Sequence, residues 1–494
     1  MNQAGRPPVA AFLALMAVAL APLFITVPIP LIDLPTHVAR ALLIAKLDEM
    51  PALQPYYAIE WHALPNLGVD LLLPPLLSVM SPAAASILFV SIIMVGVATG
   101  AVVVHRQLFG RWSLFSLLVF FLLYHGPLLW GFLNYALSIA LALWGFALWL
   151  ALRERSVAVR LPALALWASA TAIVHLYGFG ILAVLVGTSE FSRAVLRRGG
   201  AGRLALDALP FAPAIAFTFF SQTAGDGEIV WGSVRHKVGY LVEAFHTVFL
   251  PLDLVVMVVF GLVMAGLLLT RRLVVAPVMV LSLATLFAVY LAMPIMIFGS
   301  GMADWRLLPV VGIVFCAVAD WRVSAAALRR ALVALFGGLL ALRFGAIAVA
   351  FLGAGEVNAS LRSAVATVEP GERVAVAVMR ERQRLGNFGL HNHLAAWALV
   401  ERQAFVNSMF HNPGHQPLRI TFDEAPEWRG CCNHEFVFAP GEAPKNPFVE
   451  IPLNAFDYLI VFGVEHLPQP APPGVALVAE APAFSLYRVA DPAL

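Results

Sequence analysis

The sequence predicts a polytopic α-helical membrane protein that ends in a soluble α/β domain. Of its 494 residues, 61% are hydrophobic and 12% are charged, and the mean hydropathy is +0.85. Soluble domains are about half apolar and about one quarter charged, so this composition indicates an integral membrane protein. The apolar residues form eleven runs before residue 353, whereas the remainder has the charges and prolines of a soluble domain. The net charge of +2 excludes a global basic field for nucleic acid.

A membrane-spanning helix needs about 20 mostly apolar residues. The predicted spans are 9–29, 82–104, 112–124, 132–151, 161–174, 178–191, 204–221, 252–270, 273–296, 306–320 and 331–353. The first run is longer than the apolar core of a signal peptide, so we predict that it is retained as a span. We interpret 66–80 as an interfacial or re-entrant segment, because it is short and because Pro74 and Pro75 should break a helix.

The distribution of Arg and Lys predicts the orientation. When the N-terminus is placed in the cytoplasm, the inside segments carry 15 of these residues and the outside loops carry 5. Loops rich in positive charge stay in the cytoplasm. If one span had been missed, the loops after it would change sides and the difference between inside and outside would be lost. The sequence therefore predicts a membrane domain over 1–353, an outer loop over 30–81 that carries an interfacial helix, and an extracytoplasmic domain over 354–494.

The C-terminal domain is predicted to combine strands with a helix. Residues 374–378 and 457–462 have the composition of buried strands, 393–405 that of a helix, and 475–489 that of a terminal hairpin. An HxH pair, an HxxxH pair and one further histidine leave a zinc site open: His391, His393, His411, His415 and His434. Surface loops or contacts with a substrate explain the same histidines.

The stretch 30–40 directly follows the first span and brings together an acid, a base and a fixed cation. If a helix begins after Asp33, this residue is its N-cap and Pro35 lies at a favoured early position. His37 and Arg40 are three residues apart, so they share one face of that helix. Capping alone would explain Asp33, but it uses one carboxylate oxygen and leaves catalysis open.

The helix predicted over 34–50 is amphipathic. Its apolar residues include Leu42 and Leu43, which are available for contact with lipid. We therefore predict that this helix lies along the membrane surface.

Other polar and aromatic residues converge on the same side of the membrane under this topology. The outer ends of the spans carry Trp61, Tyr124, His125, His175, Tyr177, Arg235, Lys237, Asp304 and Arg306. The inner loops contain mainly arginines, which orientation alone requires. Ionisable groups at membrane depth are costly and usually functional, although aromatic side chains also collect at interfaces without a further role. The one-sided set predicts a working cavity on the outer face.

An acid after the first span, an interfacial helix, many spans and an outer soluble domain together resemble the GT-C superfamily of membrane glycosyltransferases. The architecture matches along the whole chain, and the local motif covers Ile32 to Arg40. These enzymes take a sugar from a polyprenyl-phosphate carrier and need the acid of their first outer loop. Asp33 matches that acid, but no second acid stands beside it. The resemblance therefore leaves dependence on a divalent metal open and implies no cofactor with certainty.

The resemblance implies a role for each outer residue. Asp33 would act as the general base on the acceptor hydroxyl. The ligands of the substrate or of the donor phosphate would come from His37, Arg40, Arg235, Lys237 and Arg306, with Arg306 preferred because it starts a span. The substrate would be oriented by Trp61, Tyr124, His125, His175, Tyr177 and Asp304. The implied partners are a polyprenyl-phosphate-linked sugar, a glycan, lipid or protein acceptor, and the lipids of a bacterial-type inner membrane in the cell envelope.

Three other classes of protein share parts of this pattern. A transporter or flippase for lipid-linked substrates would tend to show inverted repeats and binding at the bilayer midplane. Here the polar residues cluster at one face, and Arg343 is the clearest charge within a span. A polysaccharide polymerase or ligase would share the substrates without needing the early acid, and a non-catalytic membrane scaffold would need neither.

Overall fold

The structure of the chain is a computed structural model, and it describes residues 8–196, 201–221, 229–297, 300–379, 384–385, 388–389, 391–411, 414–430, 435–436, 445–463, 467 and 470–489. The chain forms two compact units. Unit 1 comprises Met1–Pro22, Ala63–Gly68 and Val90–Ala348, and unit 2 comprises Leu23–His62, Val69–Phe89 and Val349–Leu494. The predicted domain over 354–494 thus shares its unit with two segments of the predicted membrane domain.

Helices dominate the described residues. The α-helices are α1 (Val9–Leu20), α2 (Leu34–Lys46), α3 (Gly68–Leu77), α4 (Pro82–Phe109), α5 (Gly126–Trp130), α6 (Leu133–Leu152), α7 (Val157–Val174), α8 (Leu176–Leu196), α9 (Ala201–Ala208), α10 (Ala212–Phe220), α11 (Val234–Glu243), α12 (Leu250–Leu269), α13 (Val280–Ala292), α14 (Leu307–Val318), α15 (Ala326–Val365), α16 (Ala396–Arg402) and α17 (Pro447–Glu450).

The described strands before residue 366 have two or three residues each, and the described strands of five or more residues all follow it. The described strands are β1 (Tyr57–Ile59), β2 (Leu273–Val275), β3 (Met296–Ile297), β4 (Ser300–Gly301), β5 (Ala319–Trp321), β6 (Arg373–Met379), β7 (Arg384–Leu385), β8 (Phe388–Gly389), β9 (Phe405–Val406), β10 (Leu418–Ile420), β11 (Glu435–Phe436), β12 (Tyr458–Phe462), β13 (Val475–Ala481) and β14 (Phe484–Val489).

The long helices support the predicted polytopic architecture. Within the described part of the chain, seven helical segments are long and apolar enough to cross a membrane. They are α4, α6, α7, α8, Gly202–Phe220, α12 and α15. Shorter apolar helical segments occupy Val9–Phe24, Gly68–Leu77, Pro277–Ala292 and Leu307–Val318. The count of eleven spans therefore stays a prediction.

Three predicted spans take a different form. The run 112–124 contains a 3-10 helix over Leu114–Leu122, which begins where the Ser113 hydroxyl accepts from the Phe115 N–H. The ends of the runs 273–296 and 306–320 are strands, because β2 and β5 pair antiparallel. Valine favours strands over helices, which explains why β2 is not the first turn of a helix.

The segment 66–80 contains a helix that the sequence argument excluded. The helix α3 continues through Pro74 and Pro75 to Leu77, so the expected break at these prolines is wrong. Ten residues at 1.5 Å per residue give a length of about 15 Å. This is half of the hydrocarbon thickness of a bilayer, so α3 alone is too short to span it.

The core of unit 2 is a mixed sheet of order β11-β6-β12-β14-β13, in which β9 also pairs with β6. The strands β6 and β12 are parallel, with Val374 opposite Tyr458, and β13 and β14 form an antiparallel hairpin. Almost every residue of β6 and β12 is buried, as expected for parallel strands covered on both faces. The predicted strands are therefore confirmed. The predicted helix is shorter than 393–405, because Gln403 adopts a left-handed conformation and ends α16.

Most of the predicted outer loop 30–81 belongs to unit 2, together with this sheet. The strand β1 pairs antiparallel with β10, and the Tyr57 hydroxyl donates a 2.9 Å hydrogen bond to the Val406 carbonyl. The helix α2 packs against α16. These contacts fix the start of α2, where Asp33 lies, within unit 2.

Candidate active site

Asp33 lies in unit 2 and directly precedes the first residue of α2. Pro35 occupies an early helical position, and the Thr36 hydroxyl donates a 2.8 Å hydrogen bond to the Asp33 carbonyl. The predicted N-cap position is correct, but the Asp33 carboxylate makes no capping hydrogen bond to the described residues of α2. Asp33 is only 5% exposed. Because burial of a carboxylate is costly unless it is compensated, the surrounding side chains decide what this acid can do.

His393 is a partner of Asp33. Its Nε2 atom lies 3.5 Å from the Asp33 Oδ1 atom, and both side chains are 7% exposed. The Phe410 ring lies against the His393 ring with centroids 4.7 Å apart and faces the His37 ring at 6.5 Å. Sequence reasoning placed His393 only in an open zinc site, because no spacing rule joins residues so far apart in the chain. The structure therefore provides an acid–histidine pair that the sequence did not predict.

Arg40 is bound to Asp70, a residue to which the sequence argument gave no role. Arg40 Nε donates to Asp70 Oδ1 at 2.6 Å and Nη2 donates to Oδ2 at 3.4 Å. The same Nη2 atom lies 3.0 Å from His37 Nδ1. A guanidinium only donates hydrogen bonds, so His37 Nδ1 accepts and this imidazole is neutral. Arg40 and Asp70 are each 1% exposed, so the predicted phosphate ligand Arg40 is engaged in a buried ion pair.

The environment of α2 is protein rather than lipid over its first ten residues. Every residue from Leu34 to Leu43 is buried. The expectation that Leu42 and Leu43 contact lipid is wrong, because both side chains are buried within the protein. An amphipathic helix on a membrane surface would keep its polar stripe in water, whereas this segment is buried all round.

Arg306 is the centre of an aromatic cluster in unit 1. Its guanidinium carbon lies 4.2 Å from the Phe132 ring centroid and 5.6 Å from that of Tyr177. Its Nη2 atom donates a 3.0 Å hydrogen bond to the Gly301 carbonyl. The Tyr135 hydroxyl donates to the Arg306 carbonyl, which fixes the backbone at the start of α14. Arg306 is thus held by rings and a carbonyl, and the alternative ion pair with Asp304 is not among the ion pairs of the described residues.

The two predicted orienting histidines of unit 1 lie in the same cluster. The His125 and Tyr135 ring centroids are 6.0 Å apart, and those of His175 and Tyr177 are 5.4 Å apart. His125 Nδ1 accepts from the Leu128 N–H at the start of α5, and His175 Nδ1 accepts from the Tyr177 N–H at the start of α8. Both histidines therefore have a structural role as helix caps, whatever they do with a substrate.

Lys237 forms an ion pair with the buried Asp304 in unit 1. The Lys237 ammonium lies 2.6 Å from Asp304 Oδ2, 2.9 Å from the Tyr290 carbonyl oxygen and 2.5 Å from the Met293 carbonyl oxygen. These three acceptors match the three N–H donors of an ammonium. A phosphate could bind Lys237 only by displacing one of them.

The other predicted site residues lie in different surroundings. The Tyr124 hydroxyl donates a 2.9 Å hydrogen bond to the Ala19 carbonyl, and its ring packs on Phe344. This contact ties α1 to the rest of unit 1. Trp61 in unit 2 is 50% exposed, and Arg235 on α11 of unit 1 is exposed.

The C-terminal histidines do not assemble into a metal site in the described residues. No group of three or more His, Cys, Asp or Glu side chains there could hold a metal ion. His391 stacks on Phe462, and His411 Nε2 lies 3.3 Å from the Arg429 carbonyl oxygen. His434 lies outside the described residues.

The fold of the chain is similar to that of a solved structure, ArnT. The apo crystal structure of ArnT from Cupriavidus metallidurans covers 98% of this chain, and 98% of its own chain is matched, with a TM-score of 0.55 and 13% identity. The chain has the fold of ArnT. The structure of ArnT bound to undecaprenyl phosphate covers 97% of both chains, with a TM-score of 0.53 and 12% identity. No protein-family model and no curated protein matches the chain.

The comparison with ArnT bears on the fold expected from the sequence. The likeness shows the fold alone, a helical membrane-protein fold with a C-terminal sheet region, which agrees with the fold expected from the sequence. The match to ArnT extends over the helical part and the C-terminal sheet alike, because it covers nearly the whole chain. At 13% identity, ArnT assigns no role to an individual residue of this chain.

Proposed function

We propose that the protein is a membrane glycosyltransferase that moves a sugar from a polyprenyl-phosphate donor to an extracytoplasmic glycan, lipid or protein acceptor, with Asp33 as the general base. The observation that carries this proposal is the buried carboxylate of Asp33, which is not used to cap α2. It lies directly after the first apolar helical segment of a chain with the ArnT fold. The structure of ArnT with undecaprenyl phosphate supports a donor of the same chemical class.

The proposed sugar transfer needs a general base that accepts the proton of the acceptor hydroxyl. The acceptor hydroxyl loses its proton to the Asp33 carboxylate while its oxygen forms the new bond to the anomeric carbon of the sugar. The bond between that carbon and the phosphate oxygen breaks, and the electron pair leaves with the phosphate. Positioned general-base catalysis contributes about 10² to 10⁴ in rate, so the loss of the carboxylate is measurable.

In unit 1 we propose Arg306 as the ligand of the donor phosphate. A guanidinium presents planar donors that match phosphate oxygens, and the rings of Phe132 and Tyr177 hold it in place. Arg235 is the other cation that we keep for this role, because it is exposed and no ion pair of the described residues includes it. Tyr177 and His175 beside Arg306, and Trp61 in unit 2, are proposed to orient sugars.

We also propose that the protein resides in a bacterial-type inner membrane with residues 354–494 on the extracytoplasmic side. The support is the charge asymmetry of the loops, with 15 Arg and Lys residues inside against 5 outside. A lipid-linked donor delivered at the outer face would then be accessible from the side on which the soluble residues lie.

The proposal is tested with Asp33→Asn, a change that keeps the shape of the side chain and removes the base. Purified protein in lipid nanodiscs is supplied with a panel of undecaprenyl-phosphate sugars and membrane-derived acceptors, and sugar transfer is measured. We expect transfer to fall by about 10² or more, whereas binding of undecaprenyl phosphate itself, followed by native mass spectrometry, persists.

Asp48→Asn is the matched control. Asp48 is an exposed acid of the same loop, so its variant should transfer sugar at the original rate. Undiminished transfer by Asp33→Asn would refute the base. Binding of undecaprenyl phosphate without transfer by the unaltered protein would favour a transporter or flippase.

A further inference from the structure

The contact between Asp33 and His393 extends the proposed site into the C-terminal part of unit 2. The Asp33 Oδ1 and His393 Nε2 atoms are 3.5 Å apart, and each residue is 5% exposed. At this distance a protonated imidazole acts on a carboxylate by its charge, with little screening by water. His393 is thus placed to influence the acid on which the proposed reaction depends.

The backbone holds His393 firmly. It lies in the turn that precedes α16, where the Leu394 N–H donates to the His391 carbonyl and the Ala396 N–H donates to the His393 carbonyl. The helix α16 packs on α2, which carries Asp33 at its start. The Phe410 ring lies against the imidazole at 4.7 Å and limits its rotation. Both partners are therefore fixed by secondary structure of the same unit.

The other charged groups that face this pair are already compensated. Arg40 and Asp70 neutralise one another, and His37 is neutral because its Nδ1 atom accepts from Arg40. Burial lowers the pKa of His391 to about 4, so this neighbour is neutral at pH 7. These groups add no net charge beside Asp33.

The charged residues of α16 are also bound elsewhere. Glu401 accepts from Arg362 at 2.9 Å, and Arg402 Nε donates to the Val368 carbonyl at 2.9 Å. His411, which follows Phe410, is turned to the Arg429 carbonyl. Among the described residues, His393 places a titratable side chain within ion-pair distance of the Asp33 carboxylate.

We propose that His393 is a positioning residue whose protonated imidazole, within ion-pair distance of the Asp33 carboxylate, keeps that carboxylate ionised until the acceptor hydroxyl gives up its proton. This inference rests on the proposed function of Asp33. His393 itself forms no bond to substrate. The acceptor O–H bond breaks, its proton goes to Asp33, and the proton leaves to water after the sugar has been transferred. A cationic imidazole next to a carboxylate moves the titration of that carboxylate down by about 1 to 3 pH units.

The test is the pH profile of kcat/KM for sugar transfer by the full chain in nanodiscs, with His393→Ala and His393→Gln. The acid limb of this profile reports the essential base of the free enzyme. We expect His393→Ala to move the midpoint of the acid limb upward by about 1 to 3 pH units. His393→Gln keeps a polar side chain without a titrating charge, so its midpoint should move in the same direction by a similar amount. A merely structural role would lower the rate at every pH and leave the midpoint in place.

The control is His391→Phe, which replaces a buried histidine of the same turn that stacks on Phe462. Its midpoint should stay at the original pH. If Asp33→Asn retains transfer, the base assignment and this inference both fail. If Asp33→Asn is inactive but neither His393 variant moves the midpoint, the inference alone is overturned. Should His393→Ala not fold, the shift in His393→Gln decides between these outcomes.

Discussion

Replacing Asp70 with Asn should destabilise unit 2 far more than the loss of an exposed acid, because it leaves the Arg40 charge buried without its counter-ion. Both residues are 1% exposed, and Arg40 Nε lies 2.6 Å from Asp70 Oδ1. Two unit charges at this separation attract by about 6 kcal/mol at an effective dielectric constant of about 20. The cost of removing both from water offsets much of this attraction, yet removal of one partner alone costs about 3 to 5 kcal/mol.

A double-mutant cycle separates the ion pair from the packing of its members. Asp70→Asn, Arg40→Met and the double variant are purified in detergent, and their unfolding is followed by circular dichroism with heating. The double variant buries no charge, so its loss of stability should be clearly smaller than the sum of the two single losses. Asp48→Asn, which changes an exposed acid of the same loop, should stay within about 0.5 kcal/mol of the original protein. Equal unfolding temperatures for Asp70→Asn and Asp48→Asn would show that the pair does not hold α2 to α3.

Two further predictions concern burial and close packing. Burial lowers the pKa of His391 to about 4. As the pH falls, this histidine is therefore protonated near pH 6.5 in the unfolded chain but only near pH 4 in the folded chain. The contribution of His391 to the free energy of unfolding is complete above pH 6.5 and falls as the pH approaches 4, by about 2 kcal/mol at pH 5. The variant His391→Phe should show a weaker dependence of stability on pH in thermal melts. A Cβ added at Gly178 of α8 would clash with the Ser138 carbonyl of α6, whereas one at Gly180 meets no described atom within 4 Å. Gly178→Ala should therefore lower stability by about 1 to 3 kcal/mol in the same melts, and Gly180→Ala should not.

Hydropathy and periodicity were sufficient for much of the fold. The apolar runs predicted the long helices, and the alternation of valine-rich segments with turn residues predicted β6, β12 and the hairpin of β13 and β14. These signals are local, because a helix or a strand leaves its period in a few consecutive residues. No such signal marks β2 and β5, because each has only three residues and their pairing joins distant parts of the chain.

Because sequence signals are local, only part of the candidate site could be predicted. Asp33 could be found because it follows an apolar run and precedes a helix, both of which are visible in a short window of sequence. Its neighbours could not, since His393 and Phe410 approach it only through tertiary packing within unit 2. A buried aspartate such as Asp70, which looks like one more loop acid, also gives no sign in the sequence of the arginine that it binds.

The burial of α2 bears on the role of the C-terminal residues. A helix that lay on the membrane surface would set the environment of Asp33 by lipid and water, and the C-terminal residues would serve only to recognise the acceptor. In the structure, Leu34 to Leu43 are buried, α2 packs on α16, and His393 reaches the Asp33 carboxylate. If His393 keeps Asp33 ionised as proposed, the state of the acid is set by a side chain of the C-terminal sequence, because burial of the pair limits screening by water. The motif from Asp33 to Arg40 therefore works as part of unit 2, and changes in the C-terminal sequence can alter the chemistry of the acid as well as the choice of acceptor.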